Sequence, residues 1–112
     1  MKAKVEVDAG VCGFRTSGVV VSDDEQQVTF DVSSDCEKIR NLIVLMGKSA
    51  PIDAYQEISP EAESVVMKTA RAALKGCCAG CAVPVGLFKA MQVAAGLALP
   101  MAVAIRVTGE GD

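Results

Sequence analysis

The chain opens on a strict alternation, Ala3, Val5 and Val7 apolar against Lys4, Glu6 and Asp8 charged. A period of two is the signature of a strand with one dry face and one wet face. The run Ala9-Gly10-Val11-Cys12-Gly13 breaks the pattern. Residues 14–21 read as a second strand, Ser22-Asp23-Asp24-Glu25 as a turn, and residues 27–32 as a third strand with Val28, Phe30 and Val32 pointing inward. Together they predict a small antiparallel meander.

The period then lengthens. Ser34-Asp35-Cys36-Glu37 matches a capping box, with Ser34 as N-cap and Glu37 three positions on. Ile39, Leu42, Ile43 and Met46 follow on one helical face, and Gly47 ends the helix. Ser59-Pro60-Glu61 predicts the start of a second helix, with an apolar stripe of Ala62, Val65, Val66, Ala70, Ala73 and Leu74 closed by Gly76. After Cys77-Cys78-Ala79-Gly80-Cys81, Pro84 opens a third helix running to about residue 97, apolar nearly all round. Such a helix belongs inside a core or against a second subunit. A last strand is predicted over residues 102–108. The expected fold is α+β and two-layered, a four-stranded mainly antiparallel sheet with about three helices on one face, in the order βββαααβ. Neither a linker nor an internal repeat divides the 112 residues, so one domain, residues 1–112, is expected.

Composition sharpens this picture. Half the residues are hydrophobic, but only three Phe, one Tyr and no Trp are present, so the core is aliphatic and rich in small side chains. The net charge is −3, and the eleven Lys and Arg are scattered rather than clustered, which argues against a nucleic-acid partner. The alternating start does not read as a charged segment followed by an apolar one, so no signal peptide is expected and the chain is read as cytoplasmic. Residues 83–105 are apolar enough to raise the question of a membrane span. Pro84, Gly96 and Pro100 divide that stretch, and a buried helix followed by a strand explains it without a membrane.

The chemistry concentrates in five cysteines, an odd number in a chain without histidine. Without an export signal they argue against a disulfide framework and for metal binding, redox chemistry or plain burial. The missing histidine removes imidazole bases, Cys-His nucleophiles and histidine-containing metal sites. Cys78-Ala79-Gly80-Cys81 is a C-x-x-C, a spacing that lets two thiolates of one turn face a common metal or join as a disulfide. Cys77 offers a second spacing to Cys81, so the motif leaves open which of Cys77 and Cys78 is the ligand. Cys12 lies in a glycine-flanked loop and Cys36 near the start of a capped helix, where free amides stabilise a thiolate. If the first strand and the third helix share one edge, Cys12, Cys36, Cys77 or Cys78, and Cys81 converge as four thiolates. That set suits an iron–sulfur cluster or zinc, in an electron-transfer or structural role. The acidic charge would suit an electron carrier docking on a redox protein partner.

Two alternatives remain. The C-x-x-C before a helix could work as a dithiol redox pair, although the thioredoxin arrangement puts the motif after an early strand. A metal-free interaction module, homodimeric through the apolar third helix, would leave the cysteines as small buried hydrophobes. Other features carry less. Glu57, Glu61 and Glu63 flank a helix start and read as capping and solvation. Asp8 and Asp31 are placed near strand ends close to the cysteine edge, and Arg15 and Lys89 could supply positive charge there. The ferredoxin cysteine run is absent, as are G-x-G-x-x-G and a complete phosphate-binding loop.

Asp8-Ala9-Gly10-Val11-Cys12-Gly13-Phe14, Ser34-Asp35-Cys36-Glu37, Cys81-Ala82-Val83-Pro84, Lys89 and Gly96-Leu97-Ala98-Leu99-Pro100 together resemble a small uncharacterised protein family of anaerobic bacteria and methanogens. The resemblance implies a cytoplasmic, anaerobic setting and draws attention to Cys12, Cys36 and Cys81. It brings no activity with it.

Overall fold

In the computed structural model, which describes residues 1–111, the opening alternation builds a meander of β1 (Lys2–Asp8), β2 (Arg15–Val21) and β3 (Gln27–Ser34). Its pairings are antiparallel, with Val5 opposite Gly18 and Val20 opposite Phe30. That register puts Ala3, Val5, Val7, Thr16, Gly18, Val20, Val28, Phe30 and Val32 on one face. Ala3, Val5, Val20 and Val28 are buried, and Val7, Phe30 and Val32 pack against them. The other face carries Lys4, Glu6, Ser17, Asp31 and Ser33 to solvent. Helices therefore cover one side only.

Gly18 is required by the close approach of β2 and β3. A Cβ there would collide with the Asp31 carbonyl and lie 2.6 Å from Val32 Cα. At the turn between them, Asp24 Oδ1 accepts from the Gln26 and Gln27 amides at 2.9 and 2.7 Å. These bonds hold the exposed Asp24 carboxyl below its ordinary range.

The first helix, α1 (Glu37–Gly47), buries Ile39, Leu42 and Met46 as the periodicity predicts. Its cap differs. Ser34 is the last residue of β3, directly opposite Thr16, and the two hydroxyls lie 2.7 Å apart. The same Ser34 Oγ accepts from the Cys36 amide at 3.1 Å, which leaves Cys36 itself as N-cap without a side-chain cap bond. Cross-strand pairing has taken the serine that the capping box needed.

The connection after α1 also departs from expectation. β4 (Ile52–Asp53) pairs with the start of β3 and completes the antiparallel sheet in the order β1-β2-β3-β4. Asp53 then caps α2 (Ala54–Ile58), accepting from the Tyr55 and Gln56 amides at 2.9 and 3.2 Å. A two-residue strand and a five-residue helix are too short to show a period. Residues 59–64 form no helix, and α3 (Val65–Ala73) begins at the Ser64 cap instead of at Ser59. The reason is Glu57, only 5% exposed, whose carboxylate accepts from Ser64 Oγ at 2.8 Å, Val65 N at 2.6 Å and Val66 N at 2.8 Å. It meets the free amides that the helix start presents.

The apolar helix α4 (Val83–Ala94) lies on β1 and β2 and buries Val83, Pro84, Leu87, Ala90, Met91 and Ala94. Gly86 permits the approach, since a Cβ there would stand 2.6 Å from Val7 Cγ2. The stretch Gly76–Ala94, which ends in α4, is long and apolar enough to cross a membrane by length and composition. Within it, the buried side chains of α4 pack on β1 and β2. Gly96, at φ 76°, ends the helix, and residues 98–111 are exposed and form no strand. The order is thus βββαβααα: the fourth strand is β4, and the predicted strand at 102–108 has no partner among the described residues.

Two stability outcomes follow. Glu57→Ala should lower unfolding stability by about 2–3 kcal/mol in urea denaturation, because three donors lose their acceptor, whereas Glu61→Ala and Glu63→Ala should stay within about 0.5 kcal/mol. Gly18→Ala should cost about 1–3 kcal/mol, because a β2–β3 backbone contact must open, and no loss would contradict the packing described.

Candidate functional site

Three chain connections meet at one pole of the domain, and each carries cysteine. The β1–β2 loop is closed by the Ala9 amide on the Phe14 carbonyl at 3.2 Å and turns through Gly13 N to Gly10 O at 2.8 Å. Gly10 and Gly13, at φ 90° and 72°, supply backbone that other residues rarely adopt. Cys12 is exposed at the tip of this loop. The β3–α1 junction places Cys36 at the N-cap of α1, half-buried against the core.

The α3–α4 connection supplies the rest. A 3₁₀ turn, Gly76–Cys78, is entered through Gly76 at φ 69°, and the Cys81 amide donates to the Cys78 carbonyl at 3.1 Å. Cys78 and Cys81 are half-buried and pack on the core, whereas Cys77 is exposed. All five cysteines are free thiols. Among the described residues, no three Cys, Asp or Glu side chains stand as a ready ligand set for a metal ion.

Burial pushes the Cys81 thiol above its ordinary range, and the Val83 amide, at the start of α4, pulls the other way. Thiolate charge on Cys12, Cys36 and Cys78 pushes it up further. Cys81 is thus the thiol that the neighbouring three act on.

The charged residues singled out alongside them are dispersed. Asp8 ends β1 beside the cysteine loop, but Asp31 lies mid-strand opposite Val19 on the open face, away from a strand end. Arg15 and Lys89 are exposed, and neither forms an ion pair among the described residues. Arg15 instead borders a shallow polar cavity of about 340 Å³ on the open sheet face, lined also by Glu6, Ser17, Ser33 and Asp35. That depression comes from cross-strand register, which spacing along the chain does not display.

The Cys81 shift has a direct readout. Alkylation by iodoacetamide, followed site by site with mass spectrometry, should place the pH midpoint of Cys81 above that of an unperturbed thiol, and Cys12→Ser or Cys36→Ser should move it down. Because the folded state holds this proton more tightly, its contribution to stability is present below the ordinary thiol range and is lost as pH rises through the raised value.

No curated protein and no solved structure matches the chain. Residues 3–107, which include all five cysteines and most of the exposed tail, match a family profile. The chain belongs to the Family of unknown function (DUF6951).

Proposed function

We propose that this protein binds a soft metal centre, an iron–sulfur cluster or zinc, through Cys12, Cys36, Cys78 and Cys81. The observation that carries the reading is the gathering of four thiols from three separate connections at one pole, three of them leaning on the core and the fourth on an exposed loop. Thiolates held near one another repel, and a cation relieves that repulsion. Sulfur donors without imidazole select iron–sulfur clusters and zinc over hard cations. The ligands are not preassembled, so binding has to draw the Cys12 loop onto the other three. Cys77 faces solvent and stays outside the set.

The roles that suit such a centre are electron transfer with a redox protein partner or structural stabilisation, in a cytoplasmic, anaerobic setting. The competing dithiol reading rests on Cys78 and Cys81 sharing one turn.

Strictly anaerobic purification with a visible spectrum and iron, zinc and sulfide analysis per chain tests the proposal. Stoichiometric iron and sulfide, or one zinc, is expected. Cys12→Ser, Cys36→Ser, Cys78→Ser and Cys81→Ser should each lower the bound metal at least tenfold, whereas Cys77→Ser should leave it unchanged. Metal uptake displaces thiol protons, so apparent affinity should fall as pH is lowered. A metal-free protein under these conditions, or loss confined to Cys78→Ser and Cys81→Ser, would overturn the reading.

A further inference from the structure

Residues 101–107 set a large apolar side chain at every second position, yet among the described residues they pair with nothing. Met101, Val103, Ile105 and Val107 are 84, 52, 65 and 87% exposed, and Ala102, Ala104, Arg106 and Thr108 occupy the alternate positions. Four consecutive odd-numbered apolar side chains in water form one dry face of a strand without a sheet. This segment leaves the domain after Gly96, beside Glu25 in the β2–β3 turn, at the pole opposite the cysteines. The molecule measures 50 × 29 × 27 Å along its principal axes.

The sheet has a matching vacancy in its hydrogen bonding. β1 is an edge strand, paired only with β2, and its seven residues equal residues 102–108 in length. Its inner row is Ala3, Val5 and Val7, and its outer row is Lys2, Lys4, Glu6 and Asp8. A strand added beside β1 with Val103, Ile105 and Val107 on the inner side would continue the apolar row next to α4. The same register puts Arg106 on the outer side, where Glu6 and Asp8 supply opposite charge. Strand addition of this kind satisfies the open backbone groups of both partners.

We propose that residues 101–107 add as a strand to the β1 edge of a second copy of this chain. The tail of that copy adds to the first in return. The exchange is two-fold symmetric and closes, so it stops at a dimer. The segment lies within the family match, which extends to residue 107. This assembly is independent of the cysteine pole and of any metal there.

The test is the mass of the full chain in solution by size-exclusion chromatography with light scattering, with amide hydrogen exchange on the same sample. The expected mass is twice the 11.6 kDa of one chain, with slow exchange over residues 101–107. Ile105→Asp and Ala104→Pro, both at exposed positions, should return the mass to 11.6 kDa and free the tail amides while leaving the circular dichroism of the domain unchanged. An unaltered chain that stays at 11.6 kDa up to millimolar concentration would overturn the proposal, whether its tail is free or folds back on its own sheet. A dimer unaffected by both substitutions would overturn it equally.

Discussion

The packing of α4 across β1 and β2 is the contact on which the rest of the molecule depends. It closes the apolar side of the sheet, and it is possible only because Gly86 lets the helix backbone come down onto Val7. An aliphatic core without tryptophan gains its stability from close packing of small side chains, so the separation between layers matters more than any single large residue. Ala3, Ala90, Ala94 and Ala95 are buried alongside Val20, Leu87 and Met91. A wider spacing would leave these short side chains without neighbours.

The same helix links the two ends of the domain. Its first turn follows Cys81 and holds that thiol beside Cys36, Cys78 and the Cys12 loop. Its last turn delivers the chain to the opposite pole, where Gly96 turns it outward beside Glu25. The thiol pole and the exposed tail are therefore separated by the length of one rigid element. The proposed metal site and the proposed strand exchange therefore draw on different residues.

Glu57 is a second anchor, of a different kind. A carboxylate buried to this degree persists only when its acceptor capacity is used, and here one hydroxyl and two helix amides use it. The effect is to bind α2 to the start of α3 and so to fix how α3 meets α1. In sequence Glu57 is one of three similar acids near a helix start. Only the path of the chain between residues 58 and 64 separates it from Glu61 and Glu63, which remain exposed.

Long, strongly periodic segments were legible in the sequence: the three strands of the meander, the Ile39–Leu42–Met46 face of α1, and the apolar helix after the cysteines. Periodicity reports which face of an element is dry, and that requires no knowledge of its neighbours. The family resemblance was likewise readable. Four features needed the tertiary structure. Ser34 was drawn into the sheet by Thr16, β4 and α2 were too short to show a period, and Glu57 reset the start of α3. The strand-like residues 102–108 have their pattern but no place in their own sheet. Each of these is decided by a partner distant along the chain, because a hydrogen-bonding group or an apolar row is indifferent to its own sequence position and responds only to what folding brings opposite it.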